Sequence, residues 1–468
     1  MYSLLLFIPP NISSPIEAFE FRVDATGEIT FGVTTSSGVA AWWVDGTIYT
    51  SNSVTHNFGG VAGTKTVRLL NTAALLDKVT AIDVSSCAVT GFTYLPAFTA
   101  LTTFTADTNT GLVFDLVNIP ATWTALTTLA VNGTGVSCTG FLAALTAIQS
   151  IAAQDCAWTA SECDALLSVL YANRASYTFA TPTLNIGGTN AAPTGYYIHT
   201  VPPTSGEEYA YSLEYDPDSD GFNQWTITLN LNYSVGAVIG AALKAAYSSI
   251  YSDMYVESTG PGGTVVSDGS PIGWIEDLSG NSQHLAQATT ANKATYDASH
   301  ASFGNQPVMG FDGGDYYQKA FGATYVQPNT IIAIGRVNST ATSQFYVDGF
   351  DSTHRHWFRN SSALYWYYGA GNNCWHNVAP DANLHIFIII YNEATSKFYR
   401  DGGVPSSQSV GTHTLTGATI GAIYNLYNQL LGQISEITVI NAAATLSQIN
   451  QILNFYSKLY GVAITPVT

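Results

Sequence analysis

Short alternations of apolar and polar residues run along much of the chain, and they predict a protein built mainly of β-strands. The alternation is clear in three segments near the N-terminus, 19–23, 29–33 and 67–69. Because successive side chains of a strand point to opposite faces, a period of two is typical of half-buried strands. Longer apolar runs at 330–337 and 384–391 predict strands in the core of a sheet, the first of them buried on both faces.

A second pattern recurs at a longer period between residues 79 and 190. Units with apolar residues at their first, fourth and sixth positions begin at residues 79, 101, 126 and 148, and a fifth unit ends at 183–190. The ninth position is occupied by Cys87, Asn109 and Cys156, whereas Thr134 departs from the pattern. This template resembles the leucine-rich repeat. The resemblance implies stacked coils, each a strand plus a return, whose Asn or Cys donates to backbone carbonyls of the neighbouring coil.

The segment before these repeats carries three short motifs, W-x-V-D-G-T at 42–47, T-H-x-F at 55–58 and G-T-K-T-V at 63–67. Together they resemble the PKD type of β-sandwich repeat. After the repeats, 158–170 predicts a helix capped by Thr159 or Ser161, and 224–229 predicts a strand that caps the stack.

The C-terminal half is organised around residues 270–317, which are two strand-and-turn units. One unit reads W-I-E-D-L-S-G-N from Trp274, and the other reads F-D-G-G-D-Y from Phe311. Later come Y-R-D-G at 399–402, G-Q-I-S-E-I-T-V at 432–439 and an amphipathic helix at 445–460. These landmarks resemble laminin G-like (concanavalin A-like lectin) domains. The resemblance implies a jelly-roll sandwich of extracellular, sugar-facing type.

The expected fold class is therefore mainly β, in four parts. An N-terminal arm (1–16) precedes a PKD-like β-sandwich (17–72). A short leucine-rich-repeat solenoid with some helix and with capping strands follows (73–235), and a concanavalin A-like jelly-roll sandwich (240–465) closes the chain.

Charge narrows the range of partners. Only 10% of the 468 residues are charged, with 14 Lys and Arg against 32 Asp and Glu, so the formal net charge is −18. Nucleic acid and anionic membranes both require a basic surface, and neither is expected as a partner. The five cysteines are too few and too irregular for a disulfide framework, and we expect free thiols.

The N-terminus has a short apolar segment at 4–8 with no basic residue before it, which does not fit a secretory signal. Modules of extracellular type without an export signal favour a virion protein, and a signal removed before residue 1 is the alternative.

Motifs for catalysis are missing from the sequence. The E-x-D-x-x-E run of retaining glucanases does not occur, nor do G-x-S-x-G, H-E-x-x-H or a phosphate-binding loop before a Lys. The sequence thus predicts a protein without enzymatic activity.

Calcium is the one cofactor that the sequence suggests. Asp216, Asp218 and Asp220 alternate before Gly221, as in loops that wrap a hard cation with oxygens. The twelfth position is Ile227 instead of Glu, which excludes an EF-hand and leaves a looser calcium loop or a plain polar turn. In related lectin domains calcium lies in acidic loops. The resemblance therefore implies three further candidate calcium ligands, with weaker support, Asp277, Asp312 and Asp315. The alternative is that these residues only form turns.

A sugar-binding rim is expected in the aromatic stretch 357–377. Carbohydrate-binding sites usually combine aromatic rings with amide side chains. The candidate ligand-binding residues are Trp366, Asn372, Asn373, Trp375 and Asn377.

The function predicted from these features is a phage tail or head fibre on the virion surface. It would attach to a host-surface glycan, or to another cell-surface receptor, through its C-terminal domain. Other virion proteins would be its further partners, and a homotrimer would fit this setting because fibres are often trimeric. The alternatives are a secreted bacterial surface adhesin and a glycan hydrolase.

Overall fold

The computed structural model describes residues 19–60, 63–70, 75–141, 143–177, 179, 181–215, 221–361 and 365–468. The protein is mainly β, with 36% strand and 14% helix arranged in several sheets, which confirms the class expected from the alternation. The N-terminal arm at 1–16 lies outside the described residues. Two compact units divide the chain, Met1–Asn232 and Tyr233–Thr468.

In the part of the first unit that the structure describes, there are two large sheets and two α-helices. Its elements are β1 (Glu20–Val23), β2 (Glu28–Thr35), β3 (Ala41–Val44), β4 (Thr47–Thr50), β5 (Ser53–Asn57), β6 (Lys65–Leu69), β7 (Val79–Asp83), β8 (Val89–Tyr94), β9 (Thr103–Thr105), β10 (Thr128–Ala130), β11 (Ser150–Ala152), α1 (Ala160–Ala172), β12 (Thr183–Asn185), α2 (Gly206–Tyr215) and β13 (Thr226–Thr228).

One sheet of this unit is antiparallel, in the order β4-β3-β6-β1-β8, and the other runs β13-β12-β11-β10-β9-β7-β2-β5. Strands β7 and β9 to β13 of the second sheet are parallel, and β2 and β5 extend it antiparallel. The two sheets pack together through aromatic rings, as between Phe31 of β2 and Trp42 of β3, whose centroids are 5.0 Å apart. Hydrogen-bonded strands thus cross the boundary predicted at residues 72 and 73, because β2 pairs with β7 and β1 pairs with β8.

Each coil of the parallel sheet turns at the same position. The backbone has a positive φ at Ser86 (56°), Thr108 (60°), Gly133 (61°), Asp155 (58°) and Gly188 (74°). The first four positions repeat the spacing of the apolar pattern. Each of these residues lies three positions after the end of its strand, where the left-handed backbone redirects the chain sharply and lets the next segment return along the coil.

The residue that follows each turn anchors the corner. Asn109 Oδ1 accepts hydrogen bonds from the backbone N–H groups of Cys87 and Val89, 3.0 Å each, and its Nδ2 donates to the carbonyls of Val84 and Ala106 at 2.9 and 2.8 Å. Asn190, two residues after the turn at Gly188, makes the equivalent four bonds three coils further along, to Cys156, Trp158, Ala153 and Ile186.

Cysteine and threonine fill the same corner in the other coils. The Sγ atoms of Cys87 and Cys156 donate to the carbonyls of Thr30 and Val131 at 3.1 Å. Thr134 departs from the pattern, since its hydroxyl donates to Val131 within its own coil at 2.6 Å. These side chains thus supply hydrogen-bond partners to backbone groups at the corner.

The second unit is also built from β-sheets. Its elements are α3 (Val235–Ile239), β14 (Leu243–Ser248), β15 (Met254–Tyr255), β16 (Trp274–Ile275), β17 (Leu285–Ala286), β18 (Thr295–His300), β19 (Gln306–Asp312), β20 (Tyr317–Tyr325), β21 (Asn329–Val337), β22 (Gln344–Asp348), β23 (Trp357–Ser361), β24 (Tyr365–Gly369), β25 (Cys374–His376), β26 (His385–Tyr391), β27 (Ser396–Arg400), β28 (Ser406–Gln408), β29 (Leu415–Ile420), β30 (Leu431–Ile440) and α4 (Leu446–Tyr460).

An eight-stranded sheet and a six-stranded sheet form a sandwich. The first runs β18-β19-β30-β21-β26-β27-β28 with β14 added beside β30, and the second runs β20-β29-β22-β23-β24-β25. Aromatic rings from both sheets meet between them. Phe387 of β26 lies 4.7 Å from Phe358 of β23 and 4.7 Å from Trp366 of β24, measured between ring centroids.

Helix α4 covers β30, and a buried carboxyl group lies between them. The hydroxyls of Tyr233 and Thr438 donate to Glu436 Oε1 at 3.0 and 2.8 Å, and the Tyr456 hydroxyl donates to the same oxygen. Burial raises the pKa of Glu436 to about 7, although these hydroxyls favour the charged form. A capping box of Thr445 and Gln448 begins the helix.

Among the described residues, no helix is both long and apolar enough to cross a membrane.

Candidate functional site

Four residues on neighbouring strands of the six-stranded sheet form a continuous row. Phe345 of β22 pairs with Arg359 of β23, Arg359 pairs with Tyr367 of β24, and Tyr367 pairs with Trp375 of β25. Their neighbours in sequence, such as Phe358, Trp366 and Cys374, belong to the buried core. Because side chains alternate along a strand, the row faces away from that core. We call Phe345, Arg359, Tyr367 and Trp375 the aromatic row.

The guanidinium of Arg359 is held among aromatic rings. Its central carbon lies 4.9 Å from the centroid of Tyr367 and 5.6 Å from the centroids of both Phe345 and Trp357. Its Nη1 donates to Ser343 Oγ at 2.9 Å. The rings attract the cation through their negative faces, and burial lowers the pKa of Arg359 from its ordinary value. This side chain is therefore fixed in place before any ligand arrives.

Exposure increases along the row. Phe345 is 4% exposed and forms a floor, Arg359 and Tyr367 are half-buried, and Trp375 is 43% exposed. The centroid of Trp375 lies 6.5 Å from that of Tyr367 and 6.4 Å from that of Tyr365. The three rings thus offer adjacent apolar faces to the solvent.

An open groove of about 510 Å³ adjoins the row. Phe345, Trp357 and Arg359 line it together with polar side chains, which include Ser343, Ser352, Asn373, His413 and Asn428. The groove offers hydroxyl, amide and imidazole groups beside aromatic rings, a combination typical of sites that orient small polar ligands.

A second arginine of the groove has its charge compensated. Arg355 Nε and Nη2 donate to the two oxygens of Asp348 at 2.9 and 2.5 Å, and the Asp348 side chain is fully buried. Asp348 also accepts from the backbone N–H groups of Gly349 and Tyr424. Burial raises the pKa of Asp348 to about 6, against the opposing effect of Arg355. This bidentate pair fixes the edge of the groove.

The residues expected to bind a ligand lie in two different places. Asn372, Asn373, Trp375 and Asn377 are exposed, and Asn373 lines the groove. Trp366 is fully buried against Phe387, so its prediction as a ligand-binding residue is wrong. Its position in the strand puts it on the inner face, where its ring is part of the core.

The predicted calcium ligands also fall into separate groups. Asp216, Asp218 and Asp220 lie outside the described residues. The Asp277 carboxylate accepts from the backbone N–H groups of Ala246, Ser279 and Gln283, and from the Ser279 hydroxyl at 2.7 Å. Four donors occupy its oxygens, which assigns Asp277 to the turn.

Asp312 and Asp315 shape a second turn. The backbone N–H of Asp312 donates to Asp315 Oδ2 at 2.8 Å, and Asp312 Oδ1 accepts from Gly314 at the same distance. Burial raises the pKa of Asp315 to about 6. Within the described ranges, no group of three or more His, Cys, Asp or Glu side chains is placed to hold a metal ion. Calcium binding stays a prediction.

Arg359, Tyr367 and Phe345 were not among the residues predicted from the sequence to bind a ligand. The alternation in 357–361 and 365–369 places one set of aromatics inside and the other outside, but it does not say which set is which. The pairing of Arg359 with Tyr367 depends on the register between two strands, which the sequence of either strand alone does not contain.

No protein-family model matches the chain, and no curated protein matches it. Among solved structures, it is similar to an arabinofuranosidase complexed with arabinofuranosyl-α-1,2-xylobiose, with 13% identity and a TM-score of 0.38, over 48% of this chain and 65% of that one. It is also similar to the sialidase of Trypanosoma rangeli, with 12% identity and a TM-score of 0.31, over 46% of this chain and 33% of that one.

This chain therefore spans less than two thirds of the length of these structures. Because such neighbours are glycosidases, they contradict the expectation that the protein is not an enzyme, and we withdraw that expectation. Their TM-scores lie below 0.5, so the likeness assigns no reaction, substrate or catalytic residue to this chain.

Proposed function

We propose that the second unit binds carbohydrate through the aromatic row and the adjoining groove. The observation that carries this proposal is the outward-facing row Phe345–Arg359–Tyr367–Trp375, which crosses four strands. Sugar rings present apolar C–H faces that pack on aromatic rings, while their hydroxyls need hydrogen-bond partners. The row supplies the rings, and Asn373, Asn428 and Ser343 at the groove supply the partners.

We further propose that this binding attaches the protein to a cell surface. In this proposal the second unit is a laminin G-like sandwich, and the first unit combines a PKD-like sandwich with leucine-rich-repeat coils. Support comes from the motif resemblances, from the regular turns at Ser86 and Thr108, and from a net charge of −18 that disfavours nucleic acid. A phage fibre on the virion surface is the setting we favour, and a bacterial adhesin is the alternative.

A glycan microarray tests the proposal. The purified chain would be applied with and without EDTA, alongside the variants Tyr367→Ala and Trp375→Ala. Each ring removed is expected to weaken binding roughly tenfold, as stacking worth about 1.4 kcal/mol would predict. Tyr196→Ala is the matched control, because Tyr196 is a similarly exposed aromatic residue, at 44%, in the first unit.

Two results would count against the proposal. One is that the unmodified chain binds no glycan. The other is that it binds glycans and that both row variants bind them as well as the Tyr196→Ala control does. Release of reducing ends from each bound glycan, measured in the same samples, reports hydrolase activity directly.

A further inference from the structure

We propose that the aromatic row recognises an acidic saccharide, and that Arg359 pairs with the carboxylate of that sugar. This inference rests on the proposed carbohydrate-binding function and names the chemical class of its ligand. It follows from the charge balance of the groove, from the partners of Arg359 and from the way its side chain is held.

Charge at the groove is opposite to the charge of the chain. The sequence has more than twice as many acidic as basic residues, 32 against 14. The groove, however, is lined by Arg355, Arg359 and His413 and by no Asp or Glu among the residues that the structure describes there. The titratable side chains of the groove are thus all basic, although the protein as a whole is acidic. This local charge favours an anionic ligand over a neutral one.

The two arginines of the groove differ in their partners. Arg355 forms a bidentate ion pair with the buried Asp348, so its charge is already compensated. Arg359 forms no ion pair with any described carboxylate, and Ser343 Oγ is the one hydrogen-bond acceptor that the described residues give its guanidinium. A guanidinium carries five N–H donors, so most of its donors remain for a ligand.

The rings around Arg359 restrict the movement of its guanidinium. Contacts with Tyr367, Phe345 and Trp357 hold the guanidinium on the outer face of the sheet, two strands from the exposed Trp375. A planar guanidinium matches the two oxygens of a carboxylate in a bidentate pair. Because the side chain is already ordered, little rotamer entropy is lost when the pair forms. A sugar ring stacked on Tyr367 or Trp375 would bring a ring carboxylate within reach.

The test uses a microarray in which each acidic glycan, bearing a uronic or sialic acid, is printed beside its own carboxyl-reduced, neutral form. The unmodified chain should bind at least one acidic form roughly 10- to 100-fold better than its reduced counterpart, as expected for a charge-assisted hydrogen-bonded pair. Arg359→Gln should abolish this preference, and Arg359→Lys should restore part of it.

Arg336→Gln is the matched control. Arg336 lies on β21 of the other sheet and likewise donates from Nη1 to a serine hydroxyl, Ser302, at 2.9 Å. The substitution Arg336→Gln removes one positive charge from the same unit, as Arg359→Gln does. The Arg336→Gln variant should keep its preference for acidic glycans. Chemical denaturation of each variant confirms that the fold is retained.

The outcomes separate this inference from the function on which it rests. If acidic and reduced forms bind equally and Trp375→Ala weakens both, carbohydrate binding stands and the acidic specificity is overturned. If Arg359→Gln weakens both forms alike, Arg359 acts by positioning the rings and the inference is also overturned. If no glycan of either kind binds, both the function and the inference fail.

Discussion

Trp366 and Trp375 lie on neighbouring strands, yet their rings occupy opposite faces of one sheet. Trp366 pairs in register with His376, which places Trp375, one residue earlier, on the other face. Trp366 is completely buried, whereas Trp375 is 43% exposed. The same residue type therefore packs in the core at one position and lies at the surface at the other.

Replacing each of these tryptophans should separate stability from binding. Trp366→Ala leaves a large cavity beside Phe387 and should lower the free energy of unfolding by about 3–5 kcal/mol. Trp375→Ala removes an exposed ring and should cost less than about 1 kcal/mol while weakening glycan binding. Chemical denaturation measures both changes, and equal losses of stability would contradict the assignment of faces.

The two arginines of the groove should also behave differently. Arg355→Gln leaves the buried Asp348 carboxylate without its charged partner and should cost about 3 kcal/mol of unfolding free energy. Arg359→Gln loses contacts with aromatic rings at a half-exposed site and should cost about 1 kcal/mol or less. Unfolding curves in urea give both values. A larger loss for Arg359→Gln than for Arg355→Gln would show that Arg359 has mainly a structural role.

Asn109, the asparagine at a corner of the coils, should be essential for the stability of the first unit. Asn109→Ala removes four buried hydrogen bonds, and at about 1 kcal/mol each this amounts to roughly 4 kcal/mol. The control is Asn118→Ala, because Asn118 is exposed and lies in the next segment of the same unit. We expect the control to change the free energy of unfolding by less than about 0.5 kcal/mol. Similar midpoints for the two variants would contradict the role of the corner.

Glu436 should make the stability of the second unit depend on pH. Its pKa is about 7 in the folded protein, above the ordinary value of 4.5, so the folded state binds the proton more tightly than the unfolded state. Stability should therefore decrease as the pH rises from 4.5 to 7 and change little from this group above that range.

Glu436→Gln should remove this slope. We compare the free energies of unfolding of the variant and the unmodified chain at each pH. The variant's value minus the unmodified chain's value should increase by roughly 3 kcal/mol between pH 4.5 and pH 7.5. Denaturation curves at intervals of one pH unit measure the difference. Glu393→Gln, at an exposed position, is the control and should show no such growth. A difference that is constant with pH would mean that Glu436 does not titrate in this range.

Much of the strand content could be predicted because it follows from local patterns. The spacing of Val79, Leu101, Leu126 and Ile148 locates four parallel strands, and the helix expected at 445–460 spans Leu446–Tyr460 after its N-cap Thr445. Pairing between distant segments could not be predicted in this way. The bond of Tyr233 to Glu436 joins residues 203 positions apart, and no local pattern specifies it.

The candidate site shows the same division. Amide and aromatic residues of the rim could be recognised by type, and Asn373 and Trp375 indeed lie at the surface. The face of each strand that points to the core could not be predicted, because alternation alone does not distinguish the two faces. That symmetry explains the error at Trp366, and it also explains why Arg359 and Tyr367 were missed.

The pairing of β2 with β7 has a consequence for how the first unit can change in length. Because β2 covers one edge of the parallel stack, no additional coil can be added at that edge without displacing it. Within the parallel sheet, neighbouring coils pair through the same parallel register. Whole coils could therefore be gained or lost at these positions. Each such duplication or deletion would move the far edge by one strand spacing, about 4.8 Å. The first unit can thus grow in fixed steps from an anchored end.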